Sequence, residues 1–168
     1  MNGQPPLDEQ LPFSSQLGVD VRLLLEEARH TCADREKTIA LLEKAQSLAP
    51  DQLEVYYRHY KYLFYNKKLT EAEAVARRGL AVAAQHAQIP EDCLSQTPTT
   101  AGWQDSQGAV RFYLFTMKAL AFILLRQERL EESEKILAKL VELDPEDQVG
   151  SSVIRQLAAS LREQADAA

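Results

Sequence analysis

Two stretches of the chain close in the same way, "ALLEKAQSLAPDQ" at 40–52 and "KILAKLVELDPED" at 135–147. Each is an amphipathic helical run that ends on an apolar residue, one spacer and a proline, which cannot continue a helix. Counted from Val19, Pro50 is the thirty-second position of its unit, and counted from Leu114, Pro145 falls at the same place. A single helical hairpin cannot bury its apolar side. Amphipathic helical runs that close alike along one chain therefore point to hairpins stacked on one another.

The rest of the chain agrees with that reading. Helical periodicity dominates, and no stretch sustains the period-two alternation of a strand. Breaks at "CADRE", "APDQ", "YNKKLT", a long segment 89–108, "RQERL" and "DPED" delimit seven helices, at 19–31, 34–48, 52–66, 70–88, 109–127, 130–143 and 147–165. Thr70 with Glu73, and Asp51 with Glu54, have the spacing of N-terminal capping boxes. The short connections predict antiparallel packing of neighbours. Residues 1–16, with Pro5, Pro6 and Pro12, read as a flexible tail ahead of one domain over 17–168.

The run "MKALAFILLRQERLEESEKILAKLVELDP" at 117–145 resembles the tetratricopeptide repeat family. Leu120, Ala121 and Leu124 match the large and small sites of its first helix, Ser133 and Leu137 those of the second, and Pro145 its terminal proline. A middle unit from Leu53 matches through Tyr56, Ala72 and Gly79, and departs at Tyr60, where the family has Gly or Ala. In the first unit Leu42, Ala45 and Pro50 match, whereas Glu26 stands at a small site. The resemblance implies an all-α, right-handed superhelical stack of antiparallel hairpins with units at 19–52, 53–88 and 110–145. An inserted loop would occupy 89–108 and a capping helix 147–165, with Val153, Ile154, Leu157 and Leu161 turned inward.

It also implies a concave groove that binds a partner peptide or helix. The family's groove positions fall on Leu23, Glu27 and His30 in the first unit, Tyr57, Lys61, Phe64 and Tyr65 in the middle one, and Lys118, Phe122, Leu125 and Arg126 in the last. This set is aromatic and apolar with a few cations, so the expected partner is a protein segment with apolar anchors and some acidic character. Leu23 and Glu27 stand where a carboxylate clamp would need Lys and Asn. Loop 89–108 holds the single tryptophan, Trp103, and is read as a flank or lid of the groove, with Trp103 anchoring it or offered to a partner.

Other functions find less support. The stretch "YYRHYKYLFYNKK" mixes aromatic and basic residues as a single-stranded nucleic-acid surface does, so binding through helix 53–66 is the alternative reading. The net charge of −6 argues against it, and so do tyrosines that point in several directions around one helix. A thiol- or metal-dependent enzyme is a further alternative. However, His30, Cys32, His86 and Cys93 fit no zinc spacing, and neither a Gly-rich phosphate loop nor a nucleophile motif is present. No cofactor or metal is expected. Two cysteines, no leader-like start and a longest apolar run of "ALAFILL" read as a cytoplasmic protein without a membrane partner. Self-association into a homo-oligomer stays open.

Overall fold

A computed structural model describes residues 11–14 and 16–167. Among these the backbone forms seven α-helices and no strand. They are α1 (Val19–His30), α2 (Arg35–Leu48), α3 (Leu53–Tyr65), α4 (Leu69–Ala87), α5 (Gly108–Arg126), α6 (Leu130–Leu143) and α7 (Ser152–Asp166). A single 3₁₀ turn, Cys93–Ser95, lies between α4 and α5. Each helix packs side by side with its successor, α3 also touches α5, and α5 touches α7.

Six helices begin and end within a residue of the expected positions, and α7 does not. It starts at Ser152 rather than 147 because two aspartates organise the preceding turn. The Asp144 carboxylate accepts the Gln148 and Val149 N–H groups, each at 2.9 Å, and Asp147 Oδ1 accepts from Ser151 Oγ and Ser152 N at 3.0 Å. Asp147 and Gly150 take positive φ angles of 54° and 70°, which interrupts helical backbone. The expected capping boxes do not form either, since Lys68 precedes α4 and Gln52 precedes α3 without a side-chain cap. Charge-assisted bonds win the carboxylates instead. Glu54 accepts Arg58 Nε at 2.8 Å, and Glu73 accepts Arg77 Nε at 2.8 Å and Arg129 Nη1 at 2.7 Å.

The main core is centred on α5. Phe112, Tyr113, Leu114, Met117, Leu120 and Leu124 are wholly covered, facing α3, α4 and α6 around the helix. By length and composition α5 could cross a membrane, a match that the seven-residue run had not suggested; its apolar content is that of a central helix surrounded by others. Small residues allow close approach where helices cross. A Cβ on Gly79 would sit 3.1 Å from both Phe112 Cζ and Tyr56 Cβ, and Ser133, fully buried, donates its hydroxyl to Ala121 O at 2.7 Å. Two smaller clusters join the first hairpin to α3: Val21, Ala45 and Ala49 around Val55, and Ala28 with Leu42 against Tyr62.

Two further expectations change. Within the supposed tail, residues 1–10 lie outside the described residues, but Leu11 and Phe13 are buried in the main core because α3 and α5 leave an aromatic seat between them. On α7, Val153 is 66% exposed, and Leu157 and Leu161 are also open to solvent. Ala158 is its buried residue and Ile154 is half-buried, because α7 meets α6 and α5 on one side and, among the described residues, packs against no helix on the other.

Candidate functional site

The five tyrosines of α3 divide by direction. Tyr56 and Tyr60 turn inward: Tyr56 donates to Pro50 O at 2.7 Å, and the Tyr60 hydroxyl lies 3.3 Å from Thr116 Oγ1 on α5. Tyr62 turns a third way, is buried against the first hairpin and donates to Cys32 O at 2.9 Å. Tyr57 and Tyr65 alone among the five reach open space. The helical step of 100° per residue accounts for the split.

That open space is a groove of about 240 Å³ between α3 and α5, closed at one side by Ile154 of α7. Six residues of the expected set line it together: Tyr57, Lys61, Phe64 and Tyr65 from α3, with Lys118 and Phe122 from α5. Phe64 bridges the two walls, its ring 5.0 Å from Phe122 and 5.7 Å from Tyr65. Lys61 donates to Tyr57 Oη at 2.9 Å and stands 4.9 Å from that ring's centre. Lys118 lies 5.0 Å from the Phe115 ring centre and donates to the neutral carbonyl of Val149. Burial pulls the Lys118 ammonium below the ordinary lysine range, opposed by Asp147 and reinforced by Arg111 and Lys61. The lining thus combines aromatic walls and two ammonium groups with no carboxylate.

The other expected groove residues lie elsewhere. Leu23 and Glu27 border a separate shallow pocket with Lys44, and Glu27 pairs with Lys37 at 3.0 Å. His30, in the last turn of α1, is exposed. The reason is rotational: α1 directs Val21, Leu24, Leu25 and Ala28 at its neighbours, which leaves Leu23, Glu27 and His30 on other faces. Leu125 belongs to the core, and Arg126 is exposed at the end of α5 away from the lining. Phe115, Ala119 and Ile123 line the groove without having been singled out. The spacing Arg111, Phe115, Lys118, Phe122 along one side of a helix carried that signal in the sequence.

No residue of loop 89–108 borders this open groove, although residues 105–108 line a neighbouring cleft with Pro12, Phe13 and Ser14. Trp103 is buried, its indole N–H donating to Thr97 O at 2.7 Å and its ring 5.9 Å from Tyr113. Gln96, fully enclosed, donates to Pro90 O and to Tyr113 Oη. Tyr113 and Phe115 are two steps apart on α5 and so face nearly opposite ways, which puts the loop behind the groove wall.

Three further titratable side chains, Cys93, His59 and His86, lie outside the groove lining. Burial and the Asp92 carboxylate push the Cys93 thiol up, away from thiolate character. Burial and Arg78 push His59 down to about 4, with Nδ1 2.8 Å from Gln46 Oε1. His86 borders a polar cleft with Asp51 and Asp105. No group of three or more His, Cys, Asp or Glu among the described residues is placed to hold a metal ion.

No family model matches the chain, and no solved structure matches it. It is 29% identical over 120 residues, 70% of this chain and 67% of the relative, to an "Uncharacterized 19.8 kDa protein in nifW 5'region" of Azotobacter chroococcum mcd 1.

Proposed function

We propose that the chain is a non-catalytic protein-interaction module, an adaptor, scaffold or chaperone, that receives a segment of another protein in the groove between α3 and α5. In this reading α1–α2, α3–α4 and α5–α6 are three tetratricopeptide-type hairpins in one right-handed superhelical domain, and the groove is its concave face. A cytoplasmic setting belongs to the same reading. The observation that carries it is the convergence of Tyr57, Lys61, Phe64, Tyr65, Lys118 and Phe122, from two helices not adjacent in sequence, onto one open aromatic surface.

Aromatic side chains are the usual energetic centres of such contacts, and two cations without a carboxylate favour an acidic segment. Stacking of successive nucleic-acid bases would need a row of accessible rings, whereas Tyr56, Tyr60 and Tyr62 are held in packing. The test is affinity capture with wild type and with Tyr57→Ala/Phe122→Ala. Retention should fall at least tenfold in the double variant while its helical circular dichroism stays unchanged. Equal retention by a folded double variant would remove the groove from the account.

A further inference from the structure

The groove between α3 and α5 is already occupied at one end by the chain itself. Leu11–Ser14 forms a turn closed by Ser14 N–H donating to Leu11 O at 3.1 Å, and the Gly108 N–H at the start of α5 donates to Pro12 O at 3.0 Å. From this turn Phe13 inserts its ring between the helices, 5.3 Å from Tyr57, 5.1 Å from Phe112 and 6.1 Å from Phe115. Tyr57 and Phe115 also line the open part of the groove. The two regions are one aromatic trench, part of it filled and part open.

Resting on the groove reading above, we propose that the Leu11–Ser14 turn is a resident occupant of the partner's own site. The incoming segment is acidic and carries an aromatic anchor that takes the seat of Phe13. Three observations fix this chemistry. The seat accepts a phenyl ring edge-on, as Phe13 against Phe112 shows at an interplanar angle of 85°. The adjoining open section carries Lys61 and Lys118 with no carboxylate in its lining, and Arg111 stands 5.2 Å from the Phe115 ring centre at the junction; the carboxylates of Asp51 and Asp105 border Phe13 only in the cleft at the other end. The resident is a short turn outside the helices, which can leave without breaking a helical hydrogen-bond ladder. A tethered occupant acts at an effective concentration on the order of millimolar, so it screens out weak competitors and yields to a partner that also engages the lysines.

The probe is a fluorescein-labelled peptide, LDEQLPFSSQ, which reproduces residues 7–16 of the chain. Its binding to full-length wild type, Phe13→Leu and Phe13→Ala is measured by fluorescence anisotropy, with LDEQLPASSQ as the control. We expect affinity to rise in that order, at least tenfold from wild type to Phe13→Ala, with no binding of the control peptide. Lys118→Glu in the Phe13→Ala background should lower probe affinity at least fivefold. Should Phe13→Ala fail to fold, Phe13→Leu keeps an apolar side chain in the core and carries the comparison. Equal affinity in all folded forms, no uptake by any of them, or indifference to Lys118→Glu would overturn the proposal. If those results came while Tyr57→Ala/Phe122→Ala still lost its captured partner, the resident turn would fall and the groove reading would stand.

Discussion

His59 is a neutral imidazole held inside a protein with a basic neighbour. It is 3% exposed, Gln46 takes its Nδ1, and Arg78 adds to the cost of a positive charge. Its pKa falls from 6.5 to about 4 on folding. Above pH 6.5 the ring is neutral in both states and has no effect on the balance. Between pH 6.5 and about 4 the unfolded chain gains a proton that the folded chain refuses, so stability falls with pH. Below that window both states are charged and the loss levels off at an order of 3 kcal/mol. Denaturant titrations of wild type and His59→Gln at pH 7.5 and pH 4.5 should therefore show a smaller loss for the variant. Equal losses would mean that His59 titrates normally in the folded chain. No motif reveals this residue in the sequence, where it reads as one more polar member of a tyrosine-rich helix, because its burial depends on how α2 and α4 pack beside α3.

At the scale of the element, periodicity and proline placed six helices because both act within one turn of backbone. The start of α7 was not legible, since it depends on carboxylates that turn back to cap N–H groups several residues on. Its exposed stripe of Val153, Leu157 and Leu161 was misread for a related reason: an amphipathic pattern shows which face is apolar, not whether another helix is there to cover it. Loop 89–108 was recognisable as a long segment between two helical runs, yet its position followed from Trp103 and Gln96 docking on the Tyr113 side of α5. Trp103→Ala should accordingly destabilise the protein by about 3–5 kcal/mol, the usual range for removing a buried aromatic. Partner retention by the folded fraction should not change. A variant that kept full stability but lost its partner would move Trp103 from anchor to contact residue.

The molecule as a whole is a run of consecutively packed helices whose largest core surrounds α5, with the first hairpin attached through two smaller clusters. This unequal packing explains why the candidate site was legible in part. Tyr57, Lys61, Phe64, Tyr65, Lys118 and Phe122 lie on α3 and α5, which the main core holds side by side, although Leu125 and Arg126 of the same α5 turn elsewhere. Leu23, Glu27 and His30 lie on a helix whose rotation is set by small contacts to Val55 and Tyr62, which repeat spacing does not specify. Phe13 comes from outside the repeat pattern altogether. The groove between α3 and α5 is the claim on which the account depends. It is tested most directly by placing a photo-activated p-benzoylphenylalanine at Phe122 in the groove, and in a second protein at Leu94 on the outer loop, 43% exposed. After capture and irradiation, the account predicts a covalent adduct with the retained partner from position 122 and none from position 94. An adduct from position 94 alone would contradict it.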